Sequence, residues 1–257
     1  MKPSTTLACS LALFFSCGLQ ISSEGETTSS SHSSFFSTSS DSDAVKGSGV
    51  VIEETRDVAP FDSIKVEGSM SVILSQGEPG PLRIKVEDNL APLLVVTVKG
   101  SELTLKTTGS YSTKVGIEVY ATTADIRSIK SGGSSDVLCQ GKLEVDKLEL
   151  DASGSSNIEC AVKARSLIVL ASGSSGVEVS GVADLLQVAA SGSSGVAAFE
   201  LVAAEAGVKA TGASGASVNA KVLRAYASGA SDIRYRGLPE NLTSSDSGAG
   251  SVGPEGT

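Results

Sequence analysis

The chain has 257 residues and a formal net charge of -9, with 20 basic against 29 acidic side chains and only 4% aromatic residues. No Lys/Arg cluster interrupts that acidic background, which argues against nucleic acid or an anionic lipid surface as a partner held by a positive field. The only histidine is His32, so catalysis that depends on an imidazole base has one place to look.

Residues 1–17, MKPSTTLACSLALFFSC, set one basic residue, Lys2, before an apolar run from Leu7 to Phe15 that ends in a small residue and Cys17. This is the layout of an export signal, and the run is too short to span a bilayer. The tetrapeptide FFSC resembles the lipobox of bacterial lipoproteins, with Phe14 where that pattern usually has leucine. The resemblance implies lipidation of Cys17; ordinary signal cleavage is the alternative. No later segment reaches membrane-spanning length, so a lipid anchor is the one membrane contact expected.

Residues 18–49 are rich in Ser and Thr and poor in groups that bury apolar area. Such a segment cannot offset its ordering entropy and is expected to form a disordered tether. His32 falls inside it, away from any nucleophile it could activate. The remaining head, expected over 50–252 with a tail at 253–257, is long enough to bury a substantial core.

From 50 to 130 the chain is strand-rich but irregular, with IKVEG, VILSQG, LRIKVEDN, LLVVTVKGSELTLKT and KVGIEVYAT in succession. Gly100 and Ser101 separate two alternating runs and predict a hairpin turn. EGSMSVIL, at 67–74, looks like a worn copy of a corner that recurs later. This region is expected to close the N-terminal end of the fold, because an uncovered end would present unpaired strand edges.

Beyond residue 130 a Gly-Ser cluster repeats from Gly132, Ser153, Ser172, Ser191, Thr211 and Ser228, at intervals of 21, 19, 19, 20 and 17 residues. Between clusters apolar residues alternate with polar ones, as in Leu148, Leu150 and Ala152 or Val177 and Val179, the period of a strand. β-Branched residues at period two and a glycine in every cluster argue against helix. The predicted fold is all-β: a single-stranded right-handed parallel β-helix, or solenoid, with rungs of about 19 residues and a less regular β N-terminal region.

Three cluster positions are restricted. The second is glycine in every copy, at Gly133, Gly154, Gly173, Gly192, Gly212 and Gly229, giving the corner its backbone freedom. The fourth is always serine, from Ser135 to Ser231, expected to bond backbone groups that a sharp corner leaves unpaired. The fifth is Asp136, Asn157, Gly176, Gly195, Gly215 and Asp232, the residue types that best tolerate positive φ, which predicts a left-handed residue there.

These features resemble the family of putative auto-transporter adhesin head, GIN domains. The resemblance is carried by FDSIKVEGSMSVILSQG at 61–77, LRIKVEDNLAPLL at 82–94, GSELTLKT at 100–107, the repeated SGSS corners, GLP at 237–239 and SGAGSV at 247–252. It spans about Val58 to Val252 and implies an exported, β-helical protein of the bacterial envelope, with no catalytic residues to carry over.

The enzyme readings are weak on the residues themselves. One active site needs one serine, and here the serine motif is multiplied. A calcium ladder needs stacked carboxylates, whereas Asp136 and Asp232 are separated by rungs bearing asparagine or glycine. A polysaccharide-active enzyme would need a local acidic and basic cluster, for which Asp232, Arg234 and Arg236 are the one suggestive set; a charged terminal rung explains them as well. Cys139 and Cys160 share a register in adjacent rungs, as a disulfide or as two buried thiols. No cofactor or metal is expected.

Recognition or structure remains. Ser153, Ser172, Ser191, Thr211 and Ser228 would form a flat hydroxyl ladder suited to a glycan or another cell-surface polymer. The expected function is a non-catalytic, adhesin-like binding head, on an outer-membrane or cell-surface lipoprotein, or else a periplasmic or secreted protein. A structural or self-assembling envelope scaffold is the alternative.

Overall fold

The computed structural model describes residues 44–256. The export signal, Cys17, His32 and residues 18–43 of the expected tether lie outside the described residues.

Alternating apolar residues make the N-terminal stretch into short strands: Val45–Lys46 (β1), Val51–Arg56 (β2), Ser63–Gly68 (β3), Ser71–Gln76 (β4), Leu82–Glu87 (β5), Leu94–Lys99 (β6), Glu102–Thr107 (β7), Tyr111–Ser112 (β8) and Glu118–Thr123 (β9). β6 and β7 are antiparallel and turn at Gly100, φ 61°, and Ser101, as the sequence predicts. β2 pairs antiparallel with β5, and β5 antiparallel with β9. One turn of 3-10 helix, Ala91–Leu93, precedes β6; Arg56 donates Nη1 to the Leu94 carbonyl at 2.6 Å and Nη2 to that of Ala91 at 3.0 Å. The guanidinium thereby clasps the end of the turn, where the Ala91 carbonyl also accepts the Leu94 N–H.

The regular part follows as Ser128–Gly133 (β10), Asp136–Ala152 (β11), Asn157–Ala171 (β12), Gly176–Ala190 (β13), Gly195–Gly212 (β14), Gly215–Gly229 (β15), Asp232–Arg236 (β16), Asn241–Gly248 (β17) and Ser251–Pro254 (β18). From β11 to β15 each strand lies parallel to the next, with Gly-Ser corners in register. The result is a parallel β-solenoid of about seven turns with an irregular N-terminal region. EGSMSVIL does begin the corner series: β3 pairs with β10, β4 with β11, and the Gly68 carbonyl accepts the Ser134 N–H at 2.7 Å.

Stacking at period two sends like residues into shared columns. Leu148, Leu167, Leu186, Ala206 and Leu223 form one inward column, and Ala152, Ala171, Ala190, Ala210 and Ala227 form another beside the corner, all of them buried. Each fully buried Leu or Val contributes about 1.5–3 kcal/mol from its apolar area. Along a rung the alternation slips once, from Ala164 to Leu167 in β12, so one hydrogen-bonded ladder contains two faces.

Unequal rung lengths are absorbed at one edge. Register shifts fall between Leu138 and Lys142, Glu178 and Gly181, and Ala198 and Val202, all after the corner. At the first of these Cys139 and Cys160 are joined by a disulfide, with Cα atoms 4.8 Å apart. The bond thus spans adjacent rungs where the backbone ladder is interrupted.

At the corners the second-position glycines have φ between 74° and 81°. The left-handed residue predicted at the fifth position is not there: Gly176, Gly195 and Gly215 show no positive φ and begin strands. Small size makes room at Gly176 alone, since a Cβ on Gly195 would meet nothing within 4 Å and one on Gly215 only the Asp232 carbonyl at 4.0 Å. A Cβ on Gly176 would lie 2.7 Å from Asn157 Oδ1, while the Asn157 amide donates to Asp136 Oδ1 at 2.8 Å.

The fourth-position serines are buried, at 0–3% exposure. Ser194 Oγ accepts the Ser191 N–H at 3.1 Å, and its proton faces the carbonyls of Ser191, at 2.9 Å, and of Ala171 one rung below, at 3.0 Å. The hydroxyl therefore closes its own corner and ties it to the previous one. Ser194→Ala should lower stability by about 1–3 kcal/mol, the cost of leaving buried polar groups unpaired; urea unfolding of the variant checks this, and an unchanged midpoint would refute it.

Both boundaries expected for the head fall inside bonded chain. β1 pairs with β8, Gly47 donates to the Ser112 carbonyl at 2.8 Å, and Gly49 donates to Glu87 Oε1 at 2.7 Å. Glu87 is buried and also accepts Thr113 Oγ1. At the other end β18 pairs with β16, and the Glu255 N–H reaches the Tyr235 carbonyl at 2.8 Å. Polar composition concealed these segments because backbone ladders and a carboxylate hold them, not apolar side chains.

The last rung changes character. Above Leu223, Ala225 and Ala227 the inward column positions pass to Leu242, Ser244 and Asp246, and β17 is exposed throughout.

Candidate binding surface

The corner edge is the most repetitive surface of the head. Ser153, Ser172, Ser191, Thr211 and Ser228 stand there in register but half-buried, with each backbone N–H bonded to the buried serine of its own corner. The hydroxyls of Ser153 and Thr211 lie 3.4 Å from carbonyls of the rung below. The side chains that project further are at the third position: Ser134, Ser155, Ser174 and Ser193 are exposed, and the column continues as Ala213, Ala230 and Ala249. Strand alternation could not single these out, because corner residues belong to no strand. The usable signal was their place between a left-handed glycine and a buried serine.

Just past the corner, the missing side chains of Gly176, Gly195 and Gly215, with the short ones of Ala197 and Ser217, leave a trough of about 560 Å3 along the rungs. Asn157, Glu159 and Glu178 line one end, and Asp232 and Arg234 the other. Glycine at the fifth cluster position in three successive rungs produces this floor.

The acidic and basic set considered for polysaccharide chemistry is divided by its ion pairs. Arg234 lies 3.8 Å from Asp232, while Arg236 pairs with Glu255 at 2.7 Å and Glu200 at 2.6 Å and covers the Phe199 ring at 4.7 Å. Hydrogen bonds donated to the two carboxylates push the Arg236 guanidinium further up from its already high pKa and hold it protonated. Arg236 is thus committed to tying β16 to the residues after β18. Among the described residues no three His, Cys, Asp or Glu side chains are grouped as metal ligands, and no helix is long and apolar enough to cross a membrane.

Stacked parallel rungs, an in-register corner edge and a shallow trough define a β-solenoid head whose repeated surface runs along its axis. The chain belongs to the family described as putative auto-transporter adhesin, head GIN domain, whose model matches residues 60–239.

Similar solved structures include a putative adhesin from Bacteroides fragilis NCTC 9343, 22% identical with a TM-score of 0.72, covering 82% of this chain and 100% of that one. A putative lipid binding protein from Parabacteroides distasonis ATCC 8503 is 23% identical with a TM-score of 0.67, over 82% and 99% of the two chains. A putative adhesin from the same species is 24% identical with a TM-score of 0.66, over 82% and 100%. Likeness at these identities establishes the common fold. Comparison with curated proteins finds no match.

Proposed function

We propose that the protein is a non-catalytic, adhesin-like binding head of the bacterial cell envelope, exported and carried by its N-terminal segment on a lipid attached to Cys17. Membership of an adhesin-head family supports the binding role. The observation that carries the reading is the corner edge, where hydroxyl side chains recur rung after rung beside a glycine-floored trough. Adjacent parallel strands lie about 4.8 Å apart, so the edge offers hydrogen-bonding groups at a fixed repeat. Such a surface suits an extended polymer, a glycan or another cell-surface polymer, better than a compact metabolite. The lipid-binding description of one structural relative sets the competing ligand.

The test is binding of the full chain to cell-wall and host glycans, with Ser155, Ser174 and Ser193 changed together to alanine and, separately, the ladder Ser153, Ser172, Ser191, Thr211 and Ser228. These substitutions should weaken binding by roughly 10-fold or more, equivalent to about 1.4 kcal/mol. Unchanged binding in both variants would overturn the reading. Protease access to the protein on intact cells separates surface display from a periplasmic location.

A further inference from the structure

The sheet face before the corner carries two outward columns: Ile168, Gln187, Gly207 and Arg224, and beside them Leu170, Ala189, Lys209 and Tyr226. Ala189 and Gly207 lack the bulk of their neighbours, and a depression of about 300 Å3 opens over them. That volume is at the lower end of small-ligand sites, which run from about 300 to 1,000 Å3. Ile168 and Leu170 give it an apolar wall. Tyr226 stands across from them at 48% exposure, the one large aromatic side chain so exposed among the described residues.

The polar lining is as selective. Gln187 and Lys209 line the depression and no carboxylate does. The nearby Arg224 pairs with Glu205. On a chain of net charge -9, Lys209 is the one charged side chain that lines the depression, with Glu149 and Asp151 beside Ile168 and Leu170 one rung below, outside it. An exposed phenol, an apolar wall, one amide and one ammonium match a ligand that is flat, apolar on its faces, hydroxylated at its rim and negatively charged.

We infer that this depression binds a ring of an acidic, uronate-containing polysaccharide. Tyr226 stacks on the apolar face of the sugar, Lys209 pairs with the carboxylate, and Gln187 bonds a ring hydroxyl. An acyl chain is a poorer occupant, since it needs apolar cover on all sides and an outward sheet face supplies only one. The inference rests on the proposed binding role and gives it a ligand class and a second surface, away from the corner hydroxyls.

The experiment titrates the full chain with polygalacturonate, with dextran as a neutral glucan and with phosphatidylglycerol vesicles, at low and high salt. Polygalacturonate should bind, and bind less tightly as salt screens the Lys209 contact. Tyr226→Ala and Lys209→Glu should each weaken it by roughly 10-fold or more while thermal unfolding stays unchanged, since both side chains are exposed. Equal binding of dextran, binding of vesicles alone, or full affinity in both variants would overturn the assignment. If polygalacturonate fails while other glycans still bind through the corner hydroxyls, this site falls and the binding-head reading stands; if no glycan binds, both fall.

Discussion

Gly173→Ala should lower the unfolding free energy of the head by about 2–4 kcal/mol, whereas Gly195→Ala, in the next rung, should change it by less than about 0.5 kcal/mol. Gly173 has φ 74°, and a Cβ there would lie 2.8 Å from the Gly154 carbonyl oxygen of the rung below. The left-handed conformation costs an L-residue about 1–2 kcal/mol, and forcing atoms into a packed contact adds about 1–3 kcal/mol. Gly195 shows no positive φ, and a Cβ there meets nothing within 4 Å. Urea unfolding of the two variants side by side measures the difference. Equal losses, or a larger loss at Gly195, would show that the corner is not held by second-position glycines stacked carbonyl to backbone.

Removing the disulfide should have an effect of similar size. Cys139 and Cys160 are 21 residues apart in sequence, and closing a loop of that length stabilises a fold by about 3 kcal/mol through the unfolded chain. The bond also sits where Leu138 and Lys142 are separated by a register shift and Gly141 turns outward with φ 82°. In a solenoid each rung leans mainly on its neighbours, so a weakened junction at β11 and β12 should separate the irregular N-terminal strands from the regular stack. The paired variant Cys139→Ser, Cys160→Ser should unfold at lower denaturant, and its transition should broaden as the two parts lose cooperativity. Dithiothreitol should shift the parent protein toward the variant and leave the variant unmoved. A parent protein that ignores reductant and matches the variant would mean that the bond contributes nothing.

The sequence carried most of the fold because a solenoid writes its geometry once per rung. The cluster spacing located the corners, the alternation of Leu167, Val169 and Ala171 located an inward face, and the constant serine marked a hydroxyl that bonds the corner backbone. The fifth position misled for a definable reason. Gly, Asn and Asp are enriched both where φ is positive and where a large side chain has no room, and composition alone does not separate the two causes. At Gly176 the cause is room, because a Cβ there would meet Asn157 Oδ1; at Gly195 neither cause applies, since its φ is not positive and nothing lies within 4 Å.

The candidate surface was less legible than the core. Exposed Ser155 and half-buried Ser153 are the same residue type two positions apart, and their difference lies in how the corner turns, which periodicity does not encode. The Tyr226 depression was invisible for another reason: Ile168, Gln187 and Tyr226 come from three different rungs, so only stacking brings them onto one face. Residues 45–49 read as tether because a short ladder to β8 and bonds to the Glu87 carboxylate leave no apolar signature.

The polar end of the stack has its own consequence. Parallel rungs are a template, and every completed turn offers the next one the same backbone edge; a chain with this repeat has a built-in tendency to propagate. Docking another rung of the regular kind over β17 would bury the Asp246 carboxylate in a column that elsewhere holds alanine and the Ser244 hydroxyl in one that elsewhere holds Leu150, Val169, Val188, Val208 and Ala225. An unpaired buried carboxylate costs several kcal/mol, more than the apolar contact of one rung recovers at those two positions. Asp246 and Ser244 therefore disfavour the addition of a further apolar rung over β17.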